Sequence, residues 1–280
     1  MKTILFVFGT RPEAIKMAPI LSSISKGKQS FISKVCVTAQ HREMLDQILS
    51  LFEIKPDFDL NIMKEKQDLT GLSANLLTGM KEIFESLSPD AVIVQGDTTT
   101  ALTAAQAAFL SGIPIGHVEA GLRTYDLEAP FPEEFNRQVI SKIASWHFAP
   151  TLNSKSNLLS EGIRENQIHI TGNTVIDALL DIKTKINQNE NLKNKLLRGL
   201  EELCKDNIFK KKYILITGHR RENFGDGFQD ICHAVARLSK EFKNINFIYP
   251  VHLNPQVRNP VNKLLACLLY TSDAADDIPG

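Results

Sequence analysis

Short, continuous apolar runs that recur between helical stretches constrain the fold of this 280-residue chain more than any other feature. The runs are rich in β-branched and aromatic residues: ILFVF (4–8), KVCVTA (34–39), AVIVQ (91–95), IPIGHV (113–118), HFAP (147–150), IHITG (168–172), YILIT (213–217) and INFIYP (245–250). Strands without polar alternation are buried on both faces, as in parallel sheets connected by helices. The pattern therefore predicts an α/β fold with doubly wound parallel sheets.

Two domains are expected from the places where this alternation is interrupted. Residues 1–172 contain six of the runs and are expected to form an N-terminal Rossmann-like domain. After a polar helical stretch at about 174–205, residues 173–265 offer only two strands and predict a second, incomplete domain of the same kind. Residues 266–280 show neither strand alternation nor a capped helix and resemble translated adapter sequence. We expect them to be a non-native tail on a C-terminally truncated chain.

Composition excludes several classes of protein. Lysine plus arginine and aspartate plus glutamate number 32 each, which argues against nucleic acid as a partner. No run approaches the roughly 20 apolar residues of a membrane span. The four cysteines have no C-x-x-C spacing and no H-E-x-x-H is present, so no metal site or disulfide framework is indicated. The same cysteine pattern fits a reducing compartment, so a cytoplasmic protein is expected. The N-terminal MKTILFVF lacks a cleavage site and is interpreted as a buried strand.

Nearly every predicted strand is followed by ionisable or hydrogen-bonding side chains. They are Arg11 and Glu13; Gln40, His41 and Arg42; Asp97; His117, Glu119 and Arg123; His219, Arg220 and Arg221; and His252 and Asn254. Any one of these loops can simply be solvated. Ligands of open α/β sheets bind beyond the carboxyl ends of the strands, so six such loops together predict a binding site there.

Two of these loops carry cations that suit an anionic ligand. In GTRPEAIK, Pro12 fits a first helical position, and free N–H groups of that turn with Arg11 and Lys16 predict an anion site. Helix capping and surface ion pairing are the alternative. In TGHRREN, His219 and Arg220 follow a strand and predict phosphate or pyrophosphate binding, with a solvated basic turn as the alternative.

Four carboxylates, Asp97, Glu119, Glu133 and Glu134, are candidates for proton transfer, because carboxylates close together in a cleft separate one another's pKa values. Asp97 can instead cap the helix that begins near Thr99, and Glu134 can instead serve the dipole of its own helix. The polarity of a helix start accounts for the segment TAQHREM.

In order and spacing, eight segments resemble the non-hydrolysing bacterial UDP-N-acetylglucosamine 2-epimerases over residues 2–265. The segments are FGTRPEAIKMAP, TAQHREMLDQ, GDTTT, GHVEAGLRT, PFPEEFNR, ITGNTVIDALL, TGHRREN and YPVHLNPQVR. The resemblance implies two Rossmann-like halves of the GT-B type with the substrate in the cleft between them. It also implies reversible conversion of UDP-GlcNAc to UDP-ManNAc through elimination and re-addition of UDP, without a cofactor, for cell-surface polysaccharide synthesis.

The resemblance also implies roles for individual residues. The implied catalytic residues are Asp97, Glu119, Glu133 and His219, and the implied substrate-binding residues are Arg11, Lys16, Asp97, Glu119, Arg137, His219, Arg220 and His252. The implied site for a second, allosteric UDP-GlcNAc contains Gln40, His41 and Met44. A homodimer is the implied assembly.

The chain departs from the family pattern, because the later TDSGG-x-QEE segment is absent. We therefore expect little activity from the 280-residue polypeptide itself. A GT-B glycosyltransferase and a hydrolysing epimerase that uses a UDP-sugar are the alternative functions.

Overall fold

The computed structural model of the chain describes residues 1–27, 31–38, 42–62, 68–204, 212–218, 226–251 and 255–265. The chain divides into two compact units, Met1–Lys183 and Thr184–Gly280. Across the described residues, no helix combines the length and the apolarity that crossing a membrane requires.

Strands and helices alternate along the described residues. The strands are β1 (Lys2–Phe8), β2 (Phe31–Val37), β3 (Phe58–Asp59), β4 (Ala91–Gln95), β5 (Ile115–Val118), β6 (Trp146–Ala149), β7 (Ile168–Ile170), β8 (Lys212–Leu215) and β9 (Ile245–Ile248). The α-helices are α1 (Arg11–Lys26), α2 (Arg42–Leu51), α3 (Leu69–Leu87), α4 (Thr99–Leu110), α5 (Glu133–Ile143), α6 (Leu152–Ser160), α7 (Thr174–Gln188), α8 (Glu190–Cys204), α9 (Asp226–Glu241) and α10 (Pro255–Leu265).

The first unit is built on a seven-stranded parallel sheet with the order β3-β2-β1-β4-β5-β6-β7. From β1 the chain moves outward to β2 and β3, then returns to the other side of β1 and continues from β4 to β7. The predicted α/β class with a parallel sheet is confirmed. The reversal of direction between β1 and β4 is the topological switch point where ligands of such folds bind.

Alternate residues of the central strands enter two different cores. Leu5 and Val7 pack in one cluster with helices α3, α4 and α5, whereas Phe6 and Phe8 pack in the other with α1 and α2. Both faces of the sheet are therefore covered by apolar side chains, which explains why the strands lack polar alternation. Helix α4 meets the first core through buried alanines, whose small side chains allow the helix to lie close to the sheet.

Several elements differ from the sequence interpretation. The two-residue β3 and the long helix α3 were not anticipated, and neither was α10. The polar stretch at about 174–205 is two helices, α7 and α8, rather than one. Helix α7 crosses from the first compact unit into the second.

The second unit contains a parallel pair, β8 and β9, as the sequence predicted. Residues of α9, β9 and α10, among them Phe228, Phe247 and Val257, form its core. The hydroxyl of Tyr249 donates a 2.6 Å hydrogen bond to the carbonyl of Gly218. This unit therefore has an apolar core of its own.

Gly9, directly after β1, marks the tightest approach at the switch point. A Cβ atom there would lie 2.0 Å from Thr38 Oγ1 and 2.7 Å from Thr100 Oγ1. Thr38 directly follows β2, and Thr100 is the second residue of α4. Both residues are buried, and their hydroxyl oxygens lie 3.2 Å apart. The ends of three neighbouring strands thus meet over a residue that has no side chain.

We predict that Gly9→Ala destabilises the protein by about 2 kcal/mol, because the added methyl group must displace packed, buried hydroxyls. Urea unfolding followed by circular dichroism measures this change. The matched control is Gly27→Ala in the same unit, where a Cβ would make an ordinary 3.4 Å contact. Equal stability of the two variants would contradict the close packing described for Gly9.

Candidate active site

The candidate site lies at the carboxyl ends of β1, β4 and β5, next to the switch point. Helix α1 follows β1 and carries Arg11 and Lys16, the turn after β4 carries Asp97, and Glu119 directly follows β5. Because these strands are neighbours in the sheet, residues far apart in sequence meet at one edge.

Glu119 is held by one side chain from helix α1 and one from the neighbouring strand β4. Its Oε2 atom lies 2.5 Å from the ammonium of Lys16 and accepts a 2.6 Å hydrogen bond from the amide of Gln95. The backbone of Glu119 has a φ angle of +65°, which is a costly conformation for a residue other than glycine. This combination of strain and firm support fixes the direction of the carboxylate.

Asp97 lies among charges of both signs. Burial is the main cause of its raised pKa; the positive charge of Arg137 lowers the pKa, the negative charges of Glu133 and Glu119 raise it, and Lys16 lowers it. Arg137 Nη1 lies 3.3 Å from Asp97 Oδ2. The structure therefore brings five of the residues implied by the sequence resemblance into one electrostatic cluster.

The backbone around Asp97 is fixed by side chains of β5 and α5. The amide of Asn136 donates a 2.8 Å hydrogen bond to the carbonyl of Asp97. Nε2 of the buried His117 donates to the carbonyl of Gly96 at 2.7 Å. Burial lowers the pKa of His117 to about 3, so at neutral pH the ring is uncharged and acts as a fixed donor.

Glu134 supports the loop that precedes α5. Its buried carboxylate accepts hydrogen bonds from the backbone N–H groups of Thr124 and Tyr125, from Arg137 Nε at 2.6 Å and from the amide of Gln138 at 2.7 Å. Burial alone would raise the pKa of Glu134, but these hydrogen bonds outweigh it and lower the pKa to about 2. Glu134 is thus an ionised structural residue whose hydrogen-bond acceptors are occupied.

Arg123 of the same loop also has a structural partner. Its Nε and Nη2 atoms bind Glu161 at 2.6 Å and 2.9 Å, and Nη2 also donates to the hydroxyl of Ser141. The loop is rich in ionisable groups partly because Arg123 and Glu134 hold it against α5 and α6. Of its four glutamates, Glu119 and Glu133 belong to the cluster around Asp97.

The backbone at the start of α1, where an anion site was expected, differs from the sequence interpretation. Helix α1 begins at Arg11 with Thr10 as its cap, so Pro12 is the second helical residue rather than the first. The N–H groups of Gly9 and Thr10 donate to the carboxylate of Glu13, and the N–H of Glu13 itself faces the Thr10 hydroxyl. These amides are satisfied internally, whereas the side chains of Arg11 and Lys16 remain candidates for anion binding.

Thr98, not Asp97, caps α4, since its hydroxyl oxygen accepts from the N–H of Ala101 at 3.0 Å. The capping role considered for Asp97 is therefore wrong, and its carboxylate is left to Arg137. The sequence interpretation also overlooked a role for Glu13, although TRPE has the threonine and glutamate spacing of a capping box.

Of the remaining predicted residues, the structure describes some and not others. Arg11 is half-buried at the first position of α1, and the backbone of Met44 lies in α2. Gln40, His41, His219, Arg220 and His252 lie outside the described residues. Among the described residues there is no group of three or more histidine, cysteine, aspartate or glutamate side chains placed to hold a metal ion.

Comparison with known proteins gives consistent matches over most of the chain. The family model described as UDP-N-acetylglucosamine 2-epimerase matches residues 24–274. The UDP-N-acetylglucosamine 2-epimerase of Escherichia coli (strain K12) is 53% identical over 262 residues, which cover 94% of this chain and 68% of that protein. A probable UDP-N-acetylglucosamine 2-epimerase of Ralstonia solanacearum is 51% identical over 265 residues, or 95% of this chain and 69% of the relative.

Solved structures agree with the sequence matches. The crystal structure of UDP-GlcNAc 2-epimerase from Neisseria meningitidis bound to UDP-GlcNAc matches with a TM-score of 0.87 at 48% identity, covering 96% of this chain and 71% of that one. The Methanocaldococcus jannaschii UDP-GlcNAc 2-epimerase in complex with UDP-GlcNAc and UDP matches with a TM-score of 0.74 at 30% identity, covering 94% and 69%.

We predict that two substitutions shift the pKa of Asp97 in opposite directions. Glu133→Gln removes a negative neighbour and is expected to lower the pKa, whereas Arg137→Met removes the positive neighbour and is expected to raise it. Carbon NMR of labelled aspartate carboxyl groups, assigned with Asp97→Asn, measures both shifts. Lys142→Met, on the exposed side of α5, is the control and is expected to leave the titration unchanged.

We also predict that Glu134→Gln costs about 3 kcal/mol of stability at neutral pH, because the buried Arg137 loses its closer charged partner and keeps only Asp97 at 3.3 Å. The folded pKa of about 2 lies below the ordinary value of 4.5, so the carboxylate stabilises the fold above the ordinary value. This stabilisation is lost as the pH falls toward 2.

Urea unfolding of the Glu134→Gln variant and the unsubstituted chain at a series of pH values tests this prediction. Their difference should be constant above the ordinary pKa and should shrink below it. Glu128→Gln, an exposed change in the same loop, is the control and should stay within about 0.5 kcal/mol throughout. A difference for Glu134→Gln that does not depend on pH would contradict the assignment of an ionised carboxylate.

Proposed function

The chain belongs to the UDP-N-acetylglucosamine 2-epimerase family, and we propose that it interconverts UDP-GlcNAc and UDP-ManNAc without net hydrolysis. The observation that carries this proposal is the cluster of Asp97, Glu119 and Glu133 with Lys16 and Arg137 at the switch point. Several carboxylates around one position suit proton transfer at a sugar carbon, which simple displacement at C1 does not need.

Inverting C2 of the sugar requires removal of a proton that no neighbouring carbonyl acidifies. We propose that a carboxylate takes this proton while the C2–H electron pair forms a C1=C2 double bond. The bond from C1 to the UDP oxygen breaks at the same stage, and UDP leaves with the electron pair of that C1–O bond. The unsaturated sugar, 2-acetamidoglucal, then accepts a proton at the opposite face of C2 as UDP adds back to C1.

We propose that one carboxylate donates a proton to C2 and another accepts the proton that leaves it. Asp97 has a raised pKa because it is buried, so it is the group best able to carry a proton and donate it to C2. We propose that Glu119, which is fixed by Lys16 and Gln95, accepts the proton at the other face of C2. In the reverse reaction the two exchange roles, and Glu133 supplies negative charge that favours the protonated form of Asp97.

The other implied residues complete the proposal. Arg11, Lys16, Arg137, His219, Arg220 and His252 would bind the substrate, and His219 would also assist departure of the pyrophosphate. Residues 1–172 would then supply the catalytic half and residues 173–265 the nucleotide half. An allosteric UDP-GlcNAc at Gln40, His41 and Met44, a homodimeric assembly and a cytoplasmic location belong to the same proposal.

We predict that incubation with UDP-GlcNAc in deuterated water yields UDP-ManNAc and places deuterium at C2 of both sugars, as measured by proton NMR. Because the chain spans 68% of the length of the Escherichia coli relative, the assay uses two forms. One is the 280-residue chain, and the other is a hybrid in which residues 1–265 are followed by the remaining C-terminal part of that relative. Little turnover is expected from the first form.

Substitutions in the active form separate proton transfer from binding. Asp97→Asn and Glu119→Gln are expected to lower kcat about 100-fold or more, the usual contribution of general acid–base groups. Glu128→Gln, on the exposed part of the same loop, is the matched control and is expected to retain activity. Retention of hydrogen at C2 in both forms would reject the proposal, and release of free N-acetylmannosamine would indicate a hydrolysing enzyme instead.

A further inference from the structure

Glu13 is a buried carboxylate that lies between two turns of the candidate site but does not reach its surface. Only 1% of the residue is exposed, although it stands between Arg11 and Lys16 on the helix that supplies both cations. We propose that Glu13 is a positioning residue that ties the turn after β1 to the turn after β4, so that Lys16 and Asp97 face the same part of the substrate. This inference rests on the proposed function.

The two carboxylate oxygens of Glu13 serve different turns. Oε2 accepts from the N–H groups of Gly9 and Thr10 at 3.0 Å and 2.8 Å, both in the turn after β1. Oε1 accepts from the hydroxyl of Thr98 at 2.7 Å, and Thr98 belongs to the turn after β4. A capping box needs only the first contact, so the second is an additional link across 85 residues of sequence.

The hydrogen bond from Thr98 to Glu13 fixes the orientation of the Thr98 hydroxyl group. Its hydroxyl oxygen accepts the N–H of Ala101, while its O–H donates to Oε1 of Glu13. Thr98 directly follows Asp97, and it caps α4. The orientation of Glu13 is therefore transmitted to the residue next to the proposed proton donor.

Burial distinguishes this role from a catalytic one. The carboxylate of Glu13 is enclosed by the two turns it joins and is absent from the charges that act on Asp97. Burial raises the pKa of Glu13, while the hydrogen bonds from Thr98, Thr10 and Gly9 oppose that rise. Its three donors match an ionised carboxylate, so Glu13 acts through geometry rather than by exchanging a proton with the substrate.

Glutamine can replace Glu13 with little loss of geometry. Its carbonyl oxygen can accept from Gly9 and Thr10, and its NH₂ group can donate to Thr98, whose oxygen has two lone pairs. Alanine removes both connections. Comparison of Glu13→Gln with Glu13→Ala therefore separates the requirement for the bridge from a requirement for charge.

The first measurement is steady-state kinetics of whichever form is active. Glu13→Ala is expected to lower kcat about 100-fold with KM changed less than about threefold, because misplaced reacting groups slow the chemical step. Glu13→Gln is expected to lose less than about tenfold, which is the rescue that a positioning role requires. Thr98→Val should resemble Glu13→Ala, and the double variant should be no worse than either single one.

A matched control separates the bridge from helix capping. Thr151 caps α6 through the N–H of Ser154, as Thr98 caps α4, but it belongs to a different turn, after β6. Thr151→Val therefore loses a cap of the same type and is expected to retain kcat. Loss of kcat in this control, or equal activity of Glu13→Ala and Glu13→Gln, would overturn the proposal.

The second measurement does not depend on turnover. Crystal structures of both Glu13 variants in the 280-residue chain should show Asp97 displaced by about 1 Å in Glu13→Ala and in place in Glu13→Gln. An unmoved Asp97 in Glu13→Ala would overturn the positioning role even if the enzyme is active. If the unsubstituted forms fail to epimerise but Asp97 moves as expected, the proposed function fails and the bridge stands.

Discussion

The pairing of β1 with β4 brings together segments that are distant in sequence, with Ile4, Leu5 and Phe6 next to Ala91, Val92 and Ile93. Both strands are buried on two faces, so this pairing is fixed by the two hydrophobic cores rather than by any residue of the site. The carboxyl ends of the two strands must then open at the same edge. A cation of α1 and a carboxylate after β4 become neighbours because the core leaves the strands no other register.

The charged side chains at this edge of the sheet have two separate roles, one structural and one in ligand binding. Glu13, Glu134 and Arg123 are surrounded by hydrogen-bond partners, and these hydrogen bonds stabilise turns and loops. Asp97 and Glu119 have fewer partners and lie closer to solvent. Ionisable side chains cost free energy when they are buried, and the structure meets that cost with hydrogen bonds wherever the charge serves the framework. The groups left over are those that can meet a ligand.

The sequence was sufficient for most of the sheet, because a strand buried on both faces leaves an apolar run that has no other simple explanation. It predicted β1, β2 and β4–β9 within a few residues, and with them the edge at which the polar side chains converge. It missed β3, whose two residues are too short to form a pattern. It also credited Glu134 with possible proton transfer, since a carboxylate that accepts from backbone amides looks the same in sequence as one that faces a ligand. Partners such as Thr124 and Thr98 are decided by tertiary placement, which local spacing does not encode.

The left-handed backbone at Glu119 has a consequence for how the protein can change over time. Glycine would adopt that conformation without strain, so the position is held against the preference of the backbone by whatever its carboxylate does. A lineage selected for heat resistance alone would gain stability by replacing Glu119 with glycine. Persistence of an acidic residue there, in a set of related genes, would mark the lineages in which the reaction is still needed.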